Sequence, residues 1–129
     1  TGLLLLTNDG ELSNKLLHPK FGVPRIYEAE IEGVLDYKTI HKIAKGIFIG
    51  QGEFGRAEIL KQKKVKKRST IHLKLFTGKK REIRRIFSFL SRRLFSLKRI
   101  QYGPISLGDL PSGNWRTLNN TEINQLKNV

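Results

Sequence analysis

The stretch Gly78–Phe87 reads GKKREIRRIF and crowds Lys79, Lys80, Arg81, Arg84 and Arg85 together. A solvated helix face needs only one or two such charges. Arg84 and Arg85 stand directly before the apolar pair Ile86–Phe87, so a helix that buries that pair turns one guanidinium inward. An inward guanidinium calls for an anion, a carboxylate or a phosphate, which its planar fork grips with paired hydrogen bonds. More basic residues lie at Lys61–Arg68, Arg92, Arg93, Lys98 and Arg99. Basic groups on several separate elements are the pattern of a surface that tracks phosphates. An aromatic side chain beside them offers a stacking face to a base. Tyr27 is the candidate, and its plain alternative is an aromatic on a buried strand face.

Composition narrows the classes. Among 129 residues, 25 Lys and Arg against 11 Asp and Glu give a net charge of +14. That exceeds what solubility requires and makes a polyanion the expected partner. The chain has no cysteine, which excludes disulfides, thiol catalysis and cysteine metal sites. His18, His41 and His72 are scattered, without partners at metal-ligand spacing, so no metal site is expected. Gly50–Gly55 (GQGEFG) lacks the Gly-Lys-Ser or Gly-Lys-Thr ending of a phosphate loop and reads as a turn. Asp9, Asp36 and Asp109 sit in turn or cap contexts. No apolar run approaches the ~18 residues of a membrane span, and Leu3–Leu6 is too short for a signal-peptide core. No membrane partner is expected. There is no methionine, and the chain starts beside an apolar run; the expectation is a piece of something longer.

These residues need elements to hold them. PRIYEAEIEG alternates, with Tyr27, Ala29 and Ile31 on one face and Glu28 and Glu30 on the other, the pattern of a strand over a core or cleft. Leu3–Leu6 reads as a run buried on both faces, followed by a turn at Asn8-Asp9-Gly10 with positive φ. Asp9 also caps a short helix through ELSNKLLHP, and Asp36 caps a second through DYKTIHKIAKGIF, with Gly46 near its end. GRAEILKQKKVKKRSTIHLKLFTG reads as two strands joined by a basic loop at Lys61–Arg68. Ile71, Leu73 and Leu75 face inward on the second strand. REIRRIFSFLSRRL is the arginine helix, with Ile83, Ile86, Phe87 and Leu90 inward. FSLKRIQYGPISLGDL returns to strand, broken at Gly103-Pro104, and TEINQLKNV is a last helix capped by Thr121. No repeat or linker appears. The expectation is one α+β domain over residues 1–129.

TGLLLLTNDGEL, LLHP…YEAEI, GKKREIRRIF and LKRIQYGPISLGDLPSGNWRTL, in this order, resemble the catalytic domain of the bacterial ribosomal RNA pseudouridine synthases. The subfamily is the one holding both the B-type enzymes, which modify large-subunit rRNA, and the A-type enzymes, which modify small-subunit rRNA. The ending is more similar to the B-type. The resemblance covers nearly the whole chain. It implies an α+β fold with a mixed, largely antiparallel sheet flanked by helices. It also implies an intramolecular isomerase that detaches uracil from a chosen uridine of rRNA and reattaches it through carbon 5 without a cofactor. The similarity to the B-type makes 23S rRNA the expected substrate.

By the same resemblance the active-site tyrosine falls on Tyr27, the basic partner on Arg84 and the aliphatic residue on Leu97. Lys79, Lys80, Arg81, Arg85, Lys98 and Arg99 would hold RNA phosphates. The family's catalytic aspartate belongs to a Gly-Arg-Leu-Asp segment a few residues ahead of the position of Thr1. It is not in this sequence, so the chain alone is expected to be inactive and its natural partners are rRNA and the segment carrying that aspartate. The location implied is cytoplasmic. The alternative is a non-catalytic rRNA-binding or ribosome-assembly protein using the same basic surface.

Overall fold

The computed structural model describes residues 1–129, the side chain of Pro19 excepted. At its centre β1 (Arg25–Glu32) pairs antiparallel with β5 (Arg68–Leu75) on one side and β6 (Leu94–Tyr102) on the other. With β4 (Glu58–Val65) and β7 (Ile105–Ser106) at the edges, the sheet order is β4-β5-β1-β6-β7. Every named pair is antiparallel, and among the described residues the one parallel contact is an isolated bridge from Gly2 to Arg99. The α+β architecture with a largely antiparallel sheet is thus the one expected.

Strict alternation builds the sheet's inner face. Ala29, Ile31, Ile71 and Leu73 are at most 1% exposed. Two helices cover them, α2 (Tyr37–Lys45) and α3 (Glu82–Phe89), together with a small hairpin of β2 (Ile47–Gly50) and β3 (Glu53–Gly55). Ile43, Ile49, Ile83, Ile86 and Phe87 fill the space between, and Leu90 packs at its margin. The other residues of β1 and β5, Glu28, Glu30, Thr70, His72 and Lys74, face the opposite side and are half-buried. A second cluster of Leu3, Val23, Tyr102, Ile105 and Leu126 joins the start of the chain to β7 and to α4 (Asn120–Lys127).

Local chemistry sets the helix limits. Asp9 accepts from the Leu12 amide and caps α1 (Gly10–Leu17), and Asp36 accepts from the Thr39 amide and caps α2, which ends at Gly46. Both caps match the sequence expectation. Four readings are corrected. The Lys61–Arg68 cluster is not a loop: β4 runs to Val65 and turns only at Lys66-Lys67, where Lys66 takes φ 59°. Leu3–Leu6 is not buried on both faces, because Leu4 and Leu6 are exposed and only Leu3 is buried. Asp9 has φ −85° and Gly10 begins the helix, so no positive-φ turn forms there. The cap of α4 is Asn119, in a reciprocal capping box with Glu122, and not Thr121.

Candidate functional site

Helix α3 starts abnormally. Its N-cap is Arg81, in the left-handed region at φ 53°, with no side-chain cap of its own. Glu82, the first residue of the helix, instead gathers donors from outside it. Its carboxylate is buried and accepts hydrogen bonds from the Thr77 hydroxyl (3.0 and 3.1 Å), the Lys79 amide (3.2 Å) and the Arg56 amide (3.0 Å). A carboxylate that collects amides at a helix start also meets the positive end of the helix dipole. The loop from Thr77 to Arg81 is thereby drawn against α3.

That loop forms one wall of an open cleft of about 160 Å³. Arg25 and Tyr27 enter from β1, Leu97 from β6, Thr77, Gly78, Lys79 and Arg81 from the loop, and Ile83 and Arg84 from α3. Ala29 lies opposite Leu97, so Tyr27 and Leu97 are diagonal neighbours on one sheet face. The result is an aromatic face and an aliphatic side chain at the sheet, with cations along the opposite wall. Among the described residues, Arg84 has neither an ion-pair nor a hydrogen-bond partner, and it is exposed. Such a slot suits a planar, weakly polar ring with an anion beside it.

The structure therefore brings Tyr27, Arg84 and Leu97 together, with Lys79 and Arg81 on the same cleft. Lys80 is exposed on the same loop. Arg85 is placed differently. Its Nε donates to the Ile49 carbonyl (3.1 Å), Nη2 to the Gly50 carbonyl (3.0 Å) and Nη1 to the Lys80 carbonyl (3.1 Å), and Nη1 also pairs with Glu53 (3.0 Å). It fastens the β2–β3 hairpin to α3 and does not line the cleft. Lys98 lies opposite Glu28, on the sheet face away from Tyr27, so it does not reach the cleft. Arg99 pairs with Tyr27 in register, but its Nε donates to the Leu3 carbonyl (2.8 Å) and its guanidinium sits over the Tyr102 ring. Arg92 likewise donates to the Glu32 and Val34 carbonyls and closes the end of β1.

Arg25, Thr77 and Glu82 are site residues that the sequence reading passed over. Arg25 had a signal: it stands two residues before Tyr27 on the same strand face. It donates through Nη2 to the Thr77 carbonyl, while its Nε is buried without a partner. Glu82 had a weaker one, as the lone acid within the basic run.

The antiparallel sheet thus carries an aromatic and cationic cleft at its face. The chain belongs to the RNA pseudouridylate synthase family, whose model matches residues 1–89 and so includes Tyr27 and Arg84. An uncharacterized RNA pseudouridine synthase of Aquifex aeolicus is 38% identical over 126 residues, spanning 97% of this chain and 50% of that protein. The ribosomal large subunit pseudouridine synthase B of Bacillus subtilis is 36% identical over 129 residues, spanning 98% of this chain and 53% of that protein. A crystal structure of a pseudouridylate synthase superposes with a TM-score of 0.85 at 26% identity, covering 98% of this chain and 54% of the other. The chain thus spans about half the length of the relatives it matches.

Proposed function

We propose that this chain forms the base-holding part of an active site that converts a uridine of large-subunit ribosomal RNA to pseudouridine, acting in the cytoplasm where that RNA is made. The observation that carries the reading is the convergence of Tyr27, Arg84 and Leu97 on one cleft from β1, α3 and β6. The reaction breaks the bond from the ribose to N1 of uracil, re-forms it at C5 and releases the C5 proton. Nothing is oxidised or reduced.

Each residue has a task in that sequence. The uridine must leave its stack to reach the cleft, at a cost of a few kcal/mol, which stacking on Tyr27 and phosphate contacts from Lys79, Lys80 and Arg81 offset. Leu97 supplies an apolar wall against which the detached uracil can turn. Tyr27 then stands beside the ring to assist loss of the C5 proton. Arg84 holds the attacking carboxylate ionised and aimed, as a guanidinium does in a partly dry site. That carboxylate belongs to the chain ahead of Thr1. The start of this chain runs beside the cleft: the Thr1 hydroxyl donates to the Leu97 carbonyl (3.1 Å) and Gly2 bridges to Arg99. A longer chain entering at Thr1 therefore passes next to Leu97.

The test is tritium release from large-subunit rRNA labelled at uridine C5, with this chain extended upstream through the expected aspartate. Release is expected from the extended protein. Arg84→Ala should abolish release and leave RNA binding within about threefold, because one exposed cation adds little to a binding surface of many. Parallel loss of binding and turnover would make Arg84 one more phosphate contact. No release with tight RNA binding would favour a non-catalytic assembly role.

A further inference from the structure

An exposed apolar cluster outside the cleft is made of three phenylalanines. Phe48 on β2, Phe54 on β3 and Phe89 at the end of α3 are 49%, 56% and 54% exposed. Phe48 packs edge-to-face on Phe54 (centroids 5.7 Å apart, planes at 70°) and on Phe89 (5.8 Å, 79°). Phe48 points away from the core, since its strand neighbours Ile47 and Ile49 are the buried ones. Phenylalanine contributes nothing to solubility there, and the core is already filled by other residues.

The cluster is held rigid. Arg85, one turn before Phe89 on the same helix face, donates to the carbonyls of Ile49 and Gly50 and pairs with Glu53. A Cβ at Gly50 would stand 3.2 Å from the Phe89 ring, so the hairpin and helix approach as closely as a glycine permits. The ion pair with Arg85 also leaves the hairpin's one acid, Glu53, balanced. The cluster is continuous with the cleft, because Lys79, which lines the cleft, donates its ammonium to the Phe54 carbonyl. Lys80 and Arg81 follow on the same loop.

We propose that Phe48, Phe54 and Phe89 form a second, base-stacking platform that holds unpaired nucleotides of the same RNA strand whose uridine enters the cleft. The proposal rests on the RNA reading above. A preformed aromatic surface suits this use because every base has a face to stack and little ordering is required of the protein. Charge selects the occupant. With a net charge of +14 and cations joining the patch to the cleft, a polyanion that also carries flat apolar rings matches both features of the surface. A protein partner would match only the apolar one.

The test uses the full-length protein containing this chain and a single-stranded oligouridylate of about 12 nucleotides carrying one 2-aminopurine. Its fluorescence falls when the base stacks. The double variant Phe48→Leu with Phe54→Leu keeps the surface apolar and removes two aromatic faces. It should bind about 5- to 150-fold more weakly, the range for loss of one stacked base, with less quenching and an unchanged salt dependence. Lys79→Ala should instead lower the slope of log affinity against log salt by about 1. Equal affinity and quenching in the wild type and the double variant would overturn the platform. So would a photo-crosslinker at position 54 that joins another part of the protein instead of RNA. The two proposals separate cleanly. Tritium release unchanged together with unchanged oligonucleotide binding sinks the platform alone; loss of stacking in the double variant of a protein that releases no tritium sinks the isomerase reading alone.

Discussion

Replacing Glu82 with alanine should be among the most damaging changes available on the cleft wall, although Glu82 touches no substrate. Glu82 is 3% exposed, and its carboxylate is the common acceptor for the Thr77 hydroxyl and the Lys79 and Arg56 amides. Truncation leaves two amides and a hydroxyl without a partner, at ~1–3 kcal/mol for each fully buried group. Arg56 is exposed and Thr77 and Lys79 are half-buried, so water replaces part of the loss. The net cost is about 2–4 kcal/mol. Glu82→Gln keeps the shape and one acceptor but turns a donor toward an amide, for about half that cost. In urea denaturation, with a slope of ~1–3 kcal/mol per molar, the alanine variant should lose at least about 0.7 M in midpoint. Amide exchange at Lys79 and Arg56 should accelerate, with residues far from α3 changing only as the global stability requires. A midpoint within about 0.2 M of wild type, with exchange at both amides unchanged, would refute the claim that Glu82 holds the cleft loop.

Two further predictions concern the ends of the chain. A Cβ at Gly2 would lie 2.4 Å from both the backbone N and O of Arg99, at φ +110°, so Gly2→Ala should displace the first residues from β6 at a cost of about 1–3 kcal/mol. Faster exchange of the Leu3 amide, which donates to the Arg99 carbonyl at 2.8 Å, would report it, and an unperturbed Leu3 amide would contradict it. At the other end, hydrogen bonds from Arg116 and then from the Asn119 amide lower the Glu122 carboxyl from its ordinary 4.5 to about 2. A depressed folded-state value means that its contribution to stability is complete above pH 4.5 and is lost as pH falls toward about 2. Exchange of the first α4 amides should rise across that window and should not if the capping box is unimportant.

Much of this architecture was legible from local rules, and the exceptions have identifiable physics. The alternation of Tyr27, Ala29 and Ile31 and of Ile71, Leu73 and Leu75 marked the central strands because one sheet face is buried, and a buried face constrains every second residue. Asp9 and Asp36 marked helix starts because a cap needs only its own next residues. The lysines of β4 misled for the opposite reason. β4 is an edge strand, and Lys61, Lys63 and Lys64 face solvent there and block pairing with other chains. The turn beyond them has no glycine or asparagine to announce it. Asn119 was readable: glutamate three residues later is the capping-box signature, which Thr121 lacks. Cross-strand register was not. Lys98 and Arg99 are adjacent in sequence, and only their pairing with Glu28 and Tyr27 decides which of them shares the cleft's face.

The arginine run shows most directly why neighbours of one type divide into different tasks. Successive residues of a helix point about 100° apart, so Ile83, Ile86 and Phe87, once buried, fix where Arg84 and Arg85 must go. Arg85 falls against the β2–β3 hairpin, where the strand end leaves the Ile49 and Gly50 carbonyls for it to bind. Arg81, just outside the helix in a left-handed conformation, faces the cleft from the loop. Arg84 alone turns to the cleft from within the helix and finds no protein acceptor there among the described residues. A guanidinium that the fold turns to the cleft and leaves unpaired among the described residues is available to an anion that the reaction brings. Exchanging the two roles would require rotating α3 by one residue, which would expose Phe87 and empty the core beneath it. The position of the free arginine is therefore set by the packing of Ile83, Ile86 and Phe87, and a cavity at Ile86 should misplace Arg84 before it touches Tyr27.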